Sequence, residues 1–532
     1  MEASLSLLFI DYFHSCAALF LSFLILTLTL IYQQWNKKKE DEETAGKKLP
    51  PGPRRIPVIG NLHQVGMSLI SMPAHRVLVE LAKKHPSCPP GLTRLQVGEI
   101  PLVVVSSPEM AREFLRTHDS AFATRPEYVS GNTIFYGRSD VGFCPYGDYW
   151  RQMKRLCITA LRLDTDAIRS VRRDELRRLL SDVRSSSGQP LNLSDRIYLL
   201  TTSILCRSAL GKAFPGRKEL MVLVKNIFEL VGQLDFVDVF PSWKILGLLF
   251  GNKRRMMRVH SQTDKIMENI IRQRRKRMEE SNNDCEVIED EYHVDVLLRL
   301  MHSQTLQVPI THDNIKALIL DMLGGRVTST ITIVWAMSEM MKNPKVLARA
   351  QMEVREAFRL SGKDEEDGVL EEKDIAKRLP YLNSVVKETL RCHPPAPLLL
   401  PRECMEETTV SGGYTIERGT QVLVNAWAIA RDPRYWEDPE RFVPERFEKD
   451  PSISFMGNSF EFLPFGSGMR TCPGIEPGLA TAHSALAHLL FHFDWEFPPG
   501  TTIDSFDLTE KPGVAVERRN PLCLILTPRV VA

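Results

Sequence analysis

The sequence predicts a mainly α-helical protein with small β-sheets, carried on a single amino-terminal transmembrane anchor. Three observations lead there. Ser15 to Tyr32 is an uncharged, mostly apolar run, nine later segments repeat apolar residues at helical spacing, and β-like runs are few and short.

The anchor comes first in the chain. Its eighteen residues, at 1.5 Å of rise each, reach ~27 Å as a helix, about one hydrocarbon core. Trp35 follows at interface depth, then Lys37, Lys38 and Lys39, whereas the amino-terminal flank holds Glu2 and Asp11 and no Lys or Arg. Lysines after the span and none before it place the carboxyl-terminal bulk on the cytosolic side. A cleaved leader needs a positive start, a shorter apolar run and small residues at a cleavage site, and none is present. Residues 1–14 then form a short lumenal terminus, 15–32 the anchor and 33–48 a charged linker. A globular domain fills 49–532, opening on the stiff hinge Leu49-Pro50-Pro51-Gly52-Pro53, because proline fixes φ and restricts its predecessor. In this topology the sequon Asn192-Leu193-Ser194 faces the cytosol and stays unmodified.

In the remaining chain, helical spacing recurs at Ala111–Leu115, Trp150–Leu161, Asp174–Val183, Leu223–Leu234 and Met257–Met278. It continues at Ile315–Met341, Pro344–Ala357, Leu382–Arg391 and Leu479–Phe491. Strand-like runs lie at Leu102–Val105, Gln421–Val424 and Cys523–Leu526. The basic run Arg272 to Arg277, followed by the acidic, Asn-rich Glu279 to Glu291, reads as a helix end entering a solvated loop.

Composition excludes several functions. With 68 basic and 66 acidic residues the net charge is +2, so no basic field points to nucleic acid. Ten cysteines lie far apart with no CxxC and no Cys/His spacing, which excludes a zinc module and a disulfide scaffold. No GxGxxG fingerprint for a dinucleotide occurs.

The strongest chemical signal is Phe465-Gly466-Ser467-Gly468-Met469-Arg470-Thr471-Cys472-Pro473-Gly474. Two glycines before the cysteine permit a tight, side-chain-free turn against a flat ligand. A helix beginning just after Cys472 sets the sulfur at the positive end of a dipole, which favours thiolate. Pro477 falls in or just past the first turn of that helix, where its missing N–H costs little.

The pattern FxxGxRxCxG resembles the haem-binding loop of the cytochrome P-450 family, the haem-thiolate monooxygenases, and other landmarks follow in the family's order over almost the entire chain. Glu388-Thr389-Leu390-Arg391 matches ExxR, and Pro444-Glu445-Arg446-Phe447 matches PERF. The resemblance implies a cytochrome P-450 fold for 49–532, overriding the several domains that length alone suggests. It implies haem b with Cys472 as its axial iron ligand, and Phe465, Arg470 and Gly474 around it. It also implies a buried structural triad of Glu388, Arg391 and Arg446, although an i,i+3 pair is otherwise a weak surface contact. Trp150-Arg151-Gln152-Met153-Lys154 resembles the family's WxxxR, with Lys154 where an arginine binds a haem propionate, and Arg402 is a further propionate candidate. The stretch Lys387 to Glu403 with the proline hinge narrows the likeness to the plant microsomal class of specialised metabolism.

One motif departs from the family. Its oxygen-activating helix carries an acid before the threonine, and here Gly324-Gly325-Arg326-Val327-Thr328-Ser329 puts Val327 there. Adjacent glycines weaken the helix, and back-bonding of Thr328 to the Gly324 carbonyl opens a groove for oxygen and water. Thr328 relays a proton, with Gly325 beside it, but Val327 cannot ionise. Three accounts stay open: water or another side chain substitutes, or the outcome shifts to rearrangement, methyl migration or desaturation, or the chain is a poorly active paralogue.

The resemblance implies insertion of one atom of O2 into an apolar small molecule, a terpenoid ahead of phenolics and alkaloids, at the endoplasmic reticulum membrane. Electrons come from NADPH through a separate FAD/FMN reductase, with cytochrome b5 as a second possible donor. By family position the substrate wall takes Thr133, Ile134, Phe135, Leu323, Val327, Ala396, Leu398, Leu399, Val514 and Ala515. The alternative of another class is a non-catalytic membrane scaffold.

Overall fold

A computed structural model describes residues 46–529 apart from 70–71, 164, 212–213, 215, 285–290, 304–305 and 362–377, together with positions 22, 23, 29 and 32. The expected lumenal terminus, anchor and charged linker therefore lie outside the described residues but for those four helical positions and residues 46–48.

Helix dominates, as the periodicity predicts. Six helices frame the region of interest: α1 (Asp148–Leu161), α2 (Leu193–Leu210), α3 (Arg217–Val231), α4 (His312–Lys342), α5 (Pro380–Cys392) and α6 (Ile475–His492). The longest predicted segments emerge at nearly their expected bounds. The segment expected over Leu223–Leu234 instead starts at Arg217 and ends at Val231, where Gly232 closes it, leaving Leu234 outside. Ala111–Leu115 is split between a short helix capped by Ser107 and a π-turn over Glu113–Thr117. The basic run 272–277 lies within the helix Lys253–Asp284.

Helix α2 shows no clear apolar stripe in sequence, and the structure supplies the reason. It is buried on several sides, packed along α4 and the helix Asp166–Arg184, so its apolar residues do not fall on one face.

Among the described residues the four-stranded sheet joins β1 (Leu92–Val97), β2 (Ile100–Val105), β3 (Arg402–Glu403) and β4 (Gln421–Val424) in the order β1-β2-β4-β3. Its central pair, β2 with β4, is parallel, in the register Leu102 to Gln421 through Val105 to Val424. Leu191–Asn192, Cys523–Pro528 and Phe493–Glu496 make a second sheet, and Thr408–Val410 with Tyr414–Ile416 a third.

The position of α4 organises everything near the site. Residues Ile315 to Leu323 belong to one apolar cluster, shared with Phe135, Met153 and Ile227. Residues Ile333 to Met341 belong to another, shared with Leu382, Leu486 and Phe462. Between them, at Gly324 to Ser329, cover thins, and Gly325 and Thr328 are exposed in the middle of an otherwise buried helix. This helix is long and apolar enough to cross a membrane, but most of it is buried within the protein, as a core helix would be.

Candidate active site

The cysteine loop is shaped by its glycines and by its neighbours. Gly466 and Gly468 take φ of +71° and +72°, a left-handed conformation that side chains resist. Gly468 has a second reason: a Cβ there would stand 2.2 Å from the Leu115 carbonyl oxygen and from Asp119 Oδ2. The loop closes through the Cys472 N–H donating to the Phe465 carbonyl at 3.1 Å. Helix α6 begins at Ile475, three residues after the cysteine, with Pro477 harmlessly in its first turn.

The thiol of Cys472 is exposed at its own surface yet deep within the protein. Burial pushes its pKa up, more strongly than the N–H of Gly474, 3.4 Å from the sulfur, pulls it down. Burial and the helix start thus act on the sulfur in opposite directions, and a bound metal cation is what would hold it deprotonated.

Around this loop four cations converge. Arg470 donates to the carbonyls of Ala123, Val141 and Cys144 at 2.7, 3.0 and 2.6 Å. Arg402 pairs with Asp119 at 2.6 Å and donates to the Ser467 carbonyl at 2.9 Å. Lys154 donates to the Met469 carbonyl. Arg125 spans the Gly142, Leu400 and Pro401 carbonyls at 2.9, 2.8 and 2.7 Å. Trp150 lies under the Arg470 guanidinium at 4.2 Å and donates to Val141.

Among these hydrogen-bonding partners one is a carboxylate, Asp119, and the rest are neutral carbonyls. Burial, then the neighbouring cations, lowers Arg125 and Lys154, and burial lowers Arg470 to about 10. Positive charge is thus enclosed in excess of its counter-ions, beside a single accessible sulfur. That donor set fits a dianionic, thiolate-ligated group such as haem b.

Behind the loop, Glu388 and Arg391 on α5 are fully buried and bidentate, at 2.7 and 2.9 Å. Arg446 reaches Glu388 at 3.1 Å, and Arg391 also donates to the Ala430 and Pro439 carbonyls at 2.8 Å each. Considered as an isolated i,i+3 pair this was a weak surface contact; burial and the added carbonyls make it a satisfied internal lock.

On α4 the Thr328 hydroxyl donates to the Gly325 carbonyl at 3.1 Å, not to Gly324, and Ser329 shares the same acceptor at 3.0 Å. Gly324 makes room for the Phe228 ring of α3: a Cβ there would stand 2.6 Å from it, and the ring would have to shift. Arg326 turns away into the protein, buried over the rings of Tyr198 at 4.9 Å and Phe228 at 5.9 Å. Ser329 lies next to α6, 3.7 Å from where a Cβ on Gly478 would be.

The expected substrate wall divides. Ile134, Phe135 and Leu323 are fully buried in one apolar cluster and present no surface. Thr133, Val327, Ala396, Leu398, Leu399 and Ala515 are half-buried, and Val514 is exposed. Leu399 is held at φ +52° against Gly466 of the cysteine loop, and Val516 N–H donates to the Pro395 carbonyl at 3.0 Å, so these segments do meet.

Sequence reasoning missed Asp119, Arg125, Asp140 and Asp321. The first three lie on loops without a motif and are assembled only by tertiary packing. Asp321 left a signal, as the one acid inside the apolar run Leu318 to Leu323.

Comparison with known proteins follows the same lines. The cytochrome P450 family profile matches residues 50–524. The chain is 48% identical over 511 residues to premnaspirodiene oxygenase of Hyoscyamus muticus, covering 95% of this chain and 97% of that protein. It is 46% identical to 5-epiaristolochene 1,3-dihydroxylase of Nicotiana tabacum, with coverage of 95% and 97%. Amorpha-4,11-diene 12-monooxygenase of Artemisia annua is 42% identical, with coverage of 90% and 92%. Among solved structures, a zebra fish cytochrome P450 with progesterone superposes with a TM-score of 0.73 at 24% identity, covering 86% of this chain and all of that one (100%), a likeness of fold.

Proposed function

The chain belongs to the cytochrome P450 family and is a monooxygenase, and on that premise we propose that it oxidises a sesquiterpene hydrocarbon. One C–H bond, O2, NADPH and a proton give an alcohol, water and NADP+. The observation carrying the substrate class is the 42–48% identity, over at least 90% of the chain, to three plant enzymes whose names specify terpene substrates.

The residues divide the work. Cys472 would ligate haem b, while Arg402, Arg470, Lys154 and Arg125 neutralise its carboxylates and Phe465 and Gly474 pack the loop. Haem so held supplies reductive activation of O2, with electrons from NADPH through a flavoprotein reductase, alone or with cytochrome b5. Thr328 holds water at the thin part of α4 and passes protons, as only a hydroxyl there can, Val327 having none. Glu388, Arg391 and Arg446 keep the loop rigid. Half-buried apolar residues at Val327, Ala396, Leu398 and Leu399, with the exposed Val514 at the rim, would orient a hydrocarbon by shape, giving it no charge to bind.

The same reading places residues 15–32 in the endoplasmic reticulum membrane, with 33–48 as linker and 49–532 as the cytosolic catalytic domain. The apolar run and the lysines after it support this. An unglycosylated Asn192 in microsomes, with the protein resisting alkaline extraction, is the expected result; a glycan on Asn192 would invert the topology.

The decisive experiment supplies membranes carrying the protein and a reductase with NADPH, heavy-isotope O2 and a panel of sesquiterpene hydrocarbons. One labelled oxygen in a new product is expected. Unlabelled products would favour rearrangement or desaturation. No product from any hydrocarbon, with an intact carbon monoxide difference spectrum, would overturn the substrate class.

A further inference from the structure

Asp140, fully buried, and Asp321, half-buried, are two acids that stand together beside the site without touching the cysteine loop's hydrogen bonds. Asp321 stands on α4, and its Oδ2 accepts the Val141 and Gly142 N–H groups at 3.1 Å each. Asp140 is fully buried in the loop before α1, with its Oδ2 accepting the Phe143 N–H at 2.9 Å. Its other oxygen, Oδ1, is buried with no hydrogen-bond partner. Both carboxylates crowd Gly142, since a Cβ there would stand 3.0 Å from Asp140 Oδ2 and 3.2 Å from Asp321 Oδ1. Burial and mutual repulsion disfavour two adjacent anions here, so the pair favours holding one proton.

The pair is aligned with the thin part of α4. Asp321, Gly325 and Thr328 are spaced i, i+4 and i+7, so they share one face of the helix. Gly325, exposed and without a side chain, leaves room along that face between the acid and the hydroxyl. A Cβ at Gly325 would meet only Leu205 Cδ1, at 4.0 Å.

We propose that Asp140 and Asp321 share one proton and supply it, through water over Gly325, to Thr328, standing in for the acid that Val327 lacks. The step moves a proton and no electrons. A carboxyl O–H bond breaks, a water takes the proton and gives another to Thr328 as the hydroxyl passes its own onward, and the dianionic pair regains a proton from solvent. Both residues act through Thr328 and do not touch the reacting atoms, so they are positioning residues. The inference rests on the monooxygenase reading.

Electrostatics support the arrangement. Burial, then the other carboxylate, holds Asp140 well above the usual range, and burial lifts Asp321 to about 6. The groups facing the pair are Arg125 and Cys144 from the loops before α1, Tyr149 and Cys157 from α1, and Arg470 and Cys472 from the cysteine loop. Loss of the shared proton as pH rises should therefore lower the yield of product per NADPH at the alkaline end.

The test uses the holoenzyme with its reductase. Infrared difference spectra taken across pH, with no substrate, should show a protonated carboxyl in the wild type that disappears in both D140N and D321N. With a sesquiterpene, D321N should release several-fold more hydrogen peroxide per NADPH and show a larger solvent isotope effect. Adding V327D to D321N should restore coupling. The inference is overturned if the infrared band is absent from the wild type or survives in both variants, or if D321N couples as well as the wild type. It is also overturned if V327D rescues nothing in a haem-loaded D321N. Should D321N not hold haem, the infrared comparison of wild type with D140N decides. Because that arm needs no substrate, a failure of the sesquiterpene reading is seen separately.

Discussion

The cysteine loop and the middle of α4 border one region and are built in opposite ways. The loop is over-determined: Gly468 is jammed against Leu115 and Asp119, Arg470 binds three carbonyls, and the Glu388–Arg391 pair behind it is fully buried. The middle of α4 runs as unbroken helix through two adjacent glycines, is uncovered at Gly325 and Thr328, and has Val327 where the family carries an acid. A ligand held for the life of the protein needs fixed partners, whereas protons, water and substrates must come and go. The same chain supplies rigidity where it binds and space where it reacts.

The contrast breaks most completely at the sulfur. Cys472→Ser should abolish product formation, a loss beyond ~10³-fold, and remove the thiolate signature from the carbon monoxide difference spectrum. The fold should survive, because the residue lies on a loop and its side chain makes one weak hydrogen bond. Next is Arg391→Lys, which keeps the charge and loses the bidentate fork and the bonds to Ala430 and Pro439. Breaking a buried pair costs ~3–5 kcal/mol, to be measured by chemical denaturation of the purified protein. If it costs under ~1 kcal/mol, the rigid side is not rigid for the reason given.

A lock of the same kind holds the rim. Glu510, before the Val514 segment, is buried against Arg76 at 2.9 Å and His75 at 3.2 Å, both on the helix Ala74–Lys84. Burial lowers His75, so at neutral pH the ring beside the carboxylate is uncharged, while Arg76 brings the charge and the hydrogen bond. Burial alone would raise Glu510, but His75 and Arg76 beside it hold it at about 2, below the ordinary 4.5. A depressed acid stabilises the fold above its unfolded pKa and ceases to do so as pH falls through its folded one. Stability should fall between about pH 4.5 and pH 2, by at most ~3 kcal/mol from this group. Glu510→Gln should flatten that part of the pH–stability curve.

How much of this the sequence shows depends on where each constraint lives. The cysteine loop, α4 and α5 are legible because their chemistry is local: glycines, a cysteine and an i,i+3 pair inside periodic segments. Arg125 and Asp119 are not, because isolated loop residues acquire a role only when β3, the cysteine loop and the chain before α1 come together. Ile134 and Phe135 show the converse case. Position along the chain brought them to the expected wall, and the packing with Met153 and Leu323 turned them into core. Helix α2 escaped for want of an exposed face.

On the open side the effects should be smaller and kinetic. Thr328→Ala removes one hydroxyl and its bond to the Gly325 carbonyl, leaving Ser329 on the same acceptor, so stability should change little. Product formation should fall about tenfold while NADPH is still consumed and hydrogen peroxide rises, measured by the ratio of product to cofactor. An unchanged ratio would mean that ordered water alone carries the proton.

The smallest effect is expected at the rim. Val514 is exposed, and its side chain lies 3.9 Å from where a Cβ on Gly232 would sit, at the end of α3. The neighbouring Val516 N–H ties the segment to Pro395, which leads into Ala396 to Leu399. Val514→Ala should therefore leave the melting temperature unchanged, since exposed substitutions typically stay within ~0.5 kcal/mol. Two lost methyls on an apolar wall are worth ~1–3 kcal/mol between competing orientations, enough to change the ratio of oxidised products about tenfold. Gas chromatography of the product mixture separates the possibilities. A changed ratio at constant stability places Val514 on the substrate wall, and an unchanged ratio confines that wall to α4 and the segment from Ala396 to Leu399.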